Sequence, residues 1–204
     1  MIFVLSQWHT GTWTTINYLY RHDGVDGFQQ VCAWGRHDHN HRIGPSLSVR
    51  EHMGRNMVLH DHMDVASRRY APMLAHLFPV VIPMRDPLAS LITKVSREPD
   101  DPLDGYWSGW RHLVEVLGLG HVVPVDLDPD WPAVSRHCGL QPSGTMPPPT
   151  NVSARRALHA AYATRDVEAL REGLGGAWGT LRRMEGHLRP LLEALGYRDL
   201  VWWS

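Results

Sequence analysis

Lysine is almost absent from this 204-residue chain: of 20 basic residues only Lys94 is a lysine, so any chemistry that needs an ammonium uses Lys94 or does without. Cysteine is scarce as well. Cys32 and Cys138 form neither a disulfide framework nor a CxxC pair, which fits a reducing compartment. Neither sign of charge dominates. Twenty basic against 21 acidic residues give a net charge of −1, which argues against a general polyanion binder and leaves room for a local basic pocket. Nucleic acid is not indicated as a partner. No apolar run approaches the ~18–20 residues of a membrane span, and the strand-like run Ile2–Leu5 starts with no leader pattern before it. The expectation is a cytoplasmic protein with no membrane partner.

What is present is an ordinary globular composition, 43% hydrophobic and 20% charged. The length matches a single domain, 1–204, at the usual ~100–200 residues per domain, and no internal repeat is visible. Strand-like and helix-like stretches alternate. Ile2–Leu5, Asn56–His60, Val80–Met84 and His121–Val125 read as strands, with Gln30–Ala33 a weaker one. Helical patterns run over Trp13–Arg21, Val65–Phe78, from Pro87 onward, Gly105–Leu117, Trp131–Cys138, Ala154–Gly173 and Trp178–Leu195. Leu88, Leu91, Ile92 and Val95 repeat at i, i+3, i+4, i+7, an apolar helical stripe. Gly35–Ser48 and the proline-rich Gln141–Thr150 read as loops. The predicted fold class is α/β, a mostly parallel sheet with helices on both faces.

Two segments carry candidate chemistry. After the first strand comes Ser6-Gln7-Trp8-His9-Thr10-Gly11-Thr12, followed by a helix. Backbone N–H groups at such a helix start, with its dipole, favour a phosphate-like anion. Gly11 permits close approach, and Thr10, Thr12, Thr14 and Thr15 carry hydroxyls. The plainer alternative is an ordinary helix capped by Thr10 or Thr12. The nucleoside-triphosphatase pattern GxxxxGK[ST] is not met, because the turn has no lysine. The second segment is Arg85-Asp86-Pro87 at the end of a strand, followed by Ser90, Thr93 and Arg97. Thr93 and Arg97 share a helical face, and Arg85 sits where open α/β sheets bind ligands. Two arginines and a hydroxyl there suit a phosphate clamp; surface ion pairing is the plainer reading.

Together these segments resemble sulfotransferases that use 3′-phosphoadenosine 5′-phosphosulfate (PAPS), closest in pattern to the tyrosylprotein branch. In that family a strand leads into [KR]-S-G-T-T, which binds the 5′-phosphosulfate. His9, Thr10, Gly11, Thr12 and Trp13 occupy that place, followed by Thr14, with Gly11 and Thr12 matching. The family's arginine, with a serine eight residues on, holds the 3′-phosphate; Arg85 and Thr93 are similar, and Arg97 matches the tyrosylprotein branch's further arginine. The stretch 121–127, the short helix before Gly139-Leu140 and the end at Gly196-Tyr197 also resemble the family, so the likeness spans nearly the whole chain.

The resemblance implies a P-loop sulfotransferase-like fold, PAPS as co-substrate with no metal required, and an acceptor hydroxyl or amine whose identity the sequence does not reveal. It implies a base at the exit of the strand before Arg85. His62, 23 residues ahead of Arg85, is the first choice and His60 the second, with only one of them expected to face the donor; Asp61 and Asp64 are alternatives. His9 stands where the family has lysine or arginine. A histidine is cationic only near or below a pKa of roughly 6.5, a value that a phosphate beside it raises, so His9 either serves there as an imidazolium or marks lost activity. Two rival functions stay open: a divergent P-loop kinase acting on a nucleoside, small molecule or nucleic acid, and a non-catalytic nucleotide-binding module. The strings His60-Asp61-His62-Met63-Asp64 and His37, His39, His41 have metal-like spacing, but 14 histidines produce such coincidences readily, and no metal site is assigned.

Overall fold

A computed structural model describes residues 1–30, 54–63, 65–142 and 156–197. Five strands, β1 (Ile2–Ser6), β2 (Gly27–Gln30), β3 (Met57–His62), β4 (Val80–Met84) and β5 (His121–Pro124), form one sheet in the order β2-β3-β1-β4-β5. Every neighbouring pair is parallel, with Ile2 opposite Val58, Phe3 opposite Val80 and Val81 opposite His121. The apolar runs seen in the sequence are therefore strands buried on both faces, which is why they show no polar alternation.

Strand periodicity divides the core. Ile2, Val4, Val58, Val81 and Val123 point to one face and pack under α1 (Thr12–Tyr20) and α5 (Trp131–His137) through Ile16, Leu19, Trp131 and Val134. Phe3, Leu5, Leu59, Ile82 and Met84 point to the other. They lie under α2 (Val65–Leu77), α3 (Pro87–Arg97), α4 (Leu103–Val116), α6 (Arg156–Thr164), α7 (Val167–Leu174) and α8 (Gly176–Ala194). Right-handed crossovers account for the split. The β1→β2 connection moves along the sheet in one direction and β3→β4→β5 in the other, so their helices land on opposite faces.

The architecture is α/β with an all-parallel sheet flanked by helices, consistent with a P-loop-like fold. Local differences from the sequence reading have physical causes. The described strand β2 covers Gly27–Gln30, in register with Met57–His60, and apart from Gln30 the expected Gln30–Ala33 lies outside the described residues. The helical stretch expected over Ala154–Gly173 breaks in two: Arg165 adopts φ 56, and Asp166 then caps α7 by accepting from the Ala169 N–H. The loops at Gly35–Ser48 and, for the most part, Gln141–Thr150 lie outside the described residues, as do His37, His39, His41 and Asp64. No described helix is long and apolar enough to cross a membrane.

Because the strands are parallel, Ser6, His62, Met84 and Pro124 all end at one edge of the sheet. Ligands bind at that edge in open α/β folds, where the connections diverge. Here the divergence occurs at β1.

Candidate functional site

The turn after β1 is built from two left-handed residues. His9 has φ 64 and Gly11 φ 95. A Cβ on Gly11 would overlap the side chain of Val125, which follows β5, so this position admits only glycine. Gly11 is the N-cap of α1, and no side chain caps the helix. The ordinary capping reading fails at both threonines. The Thr10 hydroxyl donates to the Gln7 carbonyl at 2.8 Å, and the Thr12 hydroxyl donates to Ser6 Oγ at 2.8 Å. The N-cap residue thus offers the start of α1 no side-chain acceptor, a condition that favours an anion at a helix start. The Gln7 amide anchors the turn by donating to the Tyr106 carbonyl at 2.6 Å. Trp13 is 43% exposed and packs edge-on against Phe28, while Thr14 is half-buried.

From the other side α3 closes on the turn. Its N-cap, Asp86, accepts from the Leu88 N–H at 2.8 Å, with Pro87 in the first turn. Ser90 Oγ donates to the Trp8 carbonyl at 3.0 Å and accepts from the Tyr106 hydroxyl at 2.8 Å, tying helix, turn and α4 together. Arg85 is half-buried, and its guanidinium donates to Thr93 Oγ1 at 3.5 Å. The eight-residue spacing noted in the sequence therefore corresponds to a direct, if long, contact. Thr93 in turn donates to the Ala89 carbonyl at 2.9 Å. Arg97 lies one turn further on, at the exposed end of α3.

Three histidines meet at the same edge. Two residues apart on β3, His60 and His62 share one face of the strand, and their rings stand 4.7 Å apart. The expectation that only one of them faces the site is overturned by this period of two. Burial and hydrogen bonding separate their roles instead. His60 is buried, its Nε2 is 3.1 Å from Ser6 Oγ, and burial, with His62 beside it, holds its pKa well below the usual value. His62 is half-buried at the mouth, its ring 5.2 Å from that of Trp8. Asp61 is buried and accepts from the His62 N–H at 2.8 Å.

His9 has a side chain only 10% exposed, and its Nε2 has no hydrogen-bond partner, the nearest carboxylate oxygen being on Glu98 at 3.9 Å. Burial, and then the charges of Arg97, Lys94, His62 and Arg85, push its pKa down to about 3. That runs against an imidazolium at this position: the ring is neutral, and the contact with Glu98 is not an ion pair. Burial is the larger cause; the smaller, electrostatic part reflects the cations gathered around the ring.

Behind Arg85 lies a network with no counterpart in the sequence reading. The Tyr162 hydroxyl donates to Asp86 at 2.7 Å, the Asp86 N–H donates to Asp126 at 2.9 Å, and Tyr197 donates to Asp126. Burial raises the Asp86 carboxyl to about 6 despite the hydrogen bonds it accepts from Tyr162 and the Leu88 N–H, and the nearby Asp126 adds to the rise. Burial, and then the Arg85 charge, lowers the pKa of His159, which is also on α6. These residues come from segments too far apart in the chain for spacing to link them. Lys94 is the other residue the sequence reading left unplaced. Its signal was there, since Ser90, Thr93, Lys94 and Arg97 fall at i, i+3, i+4, i+7.

No family model matches the chain, and no curated protein matches it. The residues themselves suit an anionic group. They provide an uncapped helix start behind a glycine-only turn, a buried imidazole nitrogen without a partner, and cations from α3 and the end of β4. Among the described residues no group of three or more His, Cys, Asp or Glu is placed to hold a metal ion.

Proposed function

We propose that the chain is a cytoplasmic sulfotransferase that uses PAPS as sulfuryl donor. The observation that carries this reading is the convergence of the Gly11 turn with the Arg85–Thr93 contact across the β1–β4 edge, two anion stations on one rim. The turn receives the 5′-phosphosulfate; Arg85, Thr93 and Arg97 receive the 3′-phosphate. When bound, the donor supplies a sulfuryl group: the acceptor oxygen or nitrogen bonds to sulfur, the bond from sulfur to the bridging oxygen breaks, and that electron pair stays on adenosine 3′,5′-bisphosphate.

His62 is the base of this reading. It sits at the mouth rather than in the core, and it takes the acceptor's proton as a neutral imidazole. Trp8, against its ring, fixes its orientation. His60 orders the turn through Ser6 and Thr12 and does not face solvent. The acceptor is a hydroxyl or amine compound. The neutral His9 favours one second reading, a module that binds the nucleotide without turning it over.

A thermal-shift panel of adenosine 3′,5′-bisphosphate, PAPS, ADP and ATP with Mg²⁺ tests the proposal. A ligand at 100 times its Kd stabilises the folded chain by about 2.7 kcal/mol, and the first two ligands are expected to do so. Arg85→Ala is expected to weaken the bisphosphate by roughly 2–5 kcal/mol, as when a buried charge pair loses one member, and to leave 5′-AMP unchanged. A shift with ATP alone points to the kinase, and equal losses for both ligands overturn the clamp. Bisphosphate binding with no turnover of PAPS across hydroxyl and amine acceptors selects the binding module.

A further inference from the structure

The chain's single lysine is the most deeply buried cation at the site. Lys94 is 1% exposed, and its Nζ lies 4.5 Å above the centre of the Trp8 ring, in the turn itself. It shares a face of α3 with Ser90, which bonds the Trp8 carbonyl, and with Thr93, which holds Arg85. Its charge reaches His9. Burying an ammonium is costly unless it is paired, and Lys94 is paired with Glu98 and Asp101. Both carboxylates are partly exposed, at 34% and 46%. A lysine ordinarily lays its stem along apolar surface and keeps its head in water; here the head itself is buried, over the Trp8 ring. Glu98 divides its two oxygens, one on Lys94 and the other 3.9 Å from the unpartnered His9 Nε2. A carboxylate thus stands beside the two groups that would receive an anion.

We propose that Lys94, delivered from α3, is the fixed cation that the turn itself lacks, and that it contacts the 5′-phosphosulfate of the donor in place of Glu98. This rests on the donor reading above. As the bond between sulfur and the bridging oxygen breaks, the electron pair comes to rest on the 5′-phosphate oxygen. The acceptor oxygen or nitrogen completes the new bond to sulfur, and its proton passes to His62. The Lys94 ammonium lies against the oxygen that gains charge, where a preorganised cation is most effective. The basic residue has moved from the turn to the helix packed on it.

Titration calorimetry on the full chain tests this, with adenosine 3′,5′-bisphosphate and with 3′-AMP, which lacks the 5′ group. Lys94→Met keeps the apolar stem over Trp8 and is expected to weaken the bisphosphate about 30-fold or more, with 3′-AMP unchanged. Glu98→Gln, which removes the competing carboxylate, is expected to tighten the bisphosphate about fivefold; it keeps the proposal testable should Lys94→Met fail to fold. Equal losses for both ligands in Lys94→Met, or no gain in Glu98→Gln, make Lys94 a structural staple and overturn the proposal. A wild-type chain that binds neither ligand overturns the donor reading first, and this proposal with it.

Discussion

Acid is expected to destabilise the chain through His9, by an amount the structure sets. In the fold its pKa is pushed down to about 3, first by burial and then by Arg97, Lys94, His62 and Arg85. In the unfolded chain it returns to roughly 6.5. Between these values the unfolded state binds the proton and the folded state does not, so stability falls as pH falls through the window. From pH 7 to pH 5 the loss from this one group is about 2 kcal/mol. Asp86 acts the other way. Burial holds it near 6, so the fold takes up that proton first and regains roughly 1 kcal/mol over the same interval. The net pH slope therefore hides both contributions, and a variant has to separate them. His9→Asn removes the titration and suits the backbone, because asparagine tolerates the left-handed φ 64 found there. Urea unfolding of both chains at pH 7 and pH 5 is the assay. The wild type is expected to lose about 2 kcal/mol more than the variant; Asp86 and His60, common to both, cancel. Parallel losses would refute the placement of a neutral, buried His9 among these cations.

Gly11→Ala forces an L side chain to φ 95 and drives its Cβ into Val125. Strain and overpacking together are expected to cost roughly 2–6 kcal/mol, and an unchanged melting temperature would contradict the close approach of turn and β5. His62→Ala is expected to slow release of adenosine 3′,5′-bisphosphate from PAPS by about 10²–10⁴-fold across a panel of acceptors, with binding of the bisphosphate intact. His60→Ala is expected to act on melting temperature instead; a stable but inactive His60→Ala chain would move the base two residues back.

Local pattern made much of this molecule legible. Uninterrupted apolar strands announced a parallel sheet covered on both faces, and Pro87 behind Asp86 announced the start of α3. The Arg85–Thr93 spacing was legible because a strand end and two helical turns leave few ways to arrange eight residues. Four things escaped. The threonine hydroxyls of the turn find acceptors inside it, at Gln7 and Ser6, and only the left-handed path through His9 and Gly11 brings them there. The break at Arg165 rests on a positive φ that an arginine does not advertise. The Tyr162–Asp86 and Tyr197–Asp126 bonds join residues 76 and 71 positions apart, so no window of sequence contains them. The neutrality of His9 escaped for a similar reason, since it is set first by burial in the fold and then by neighbours from α3, β3 and the end of β4.

The central place of β1 bears on how the chain is made. It leaves the ribosome ahead of the strands it pairs with: its partners are Val58 and Val80, 56 and 77 residues behind Ile2 and Phe3. At a synthesis rate of about 5–20 residues per second, Ile2–Leu5 waits roughly 3–15 s for a neighbour, with both apolar faces and both hydrogen-bonding edges uncovered. Pairings this distant in sequence also slow folding once the chain is complete, because loop closure precedes the contacts that reward it. The strand on which the whole rim depends is thus open to chaperones and to other nascent copies of itself until those partners emerge.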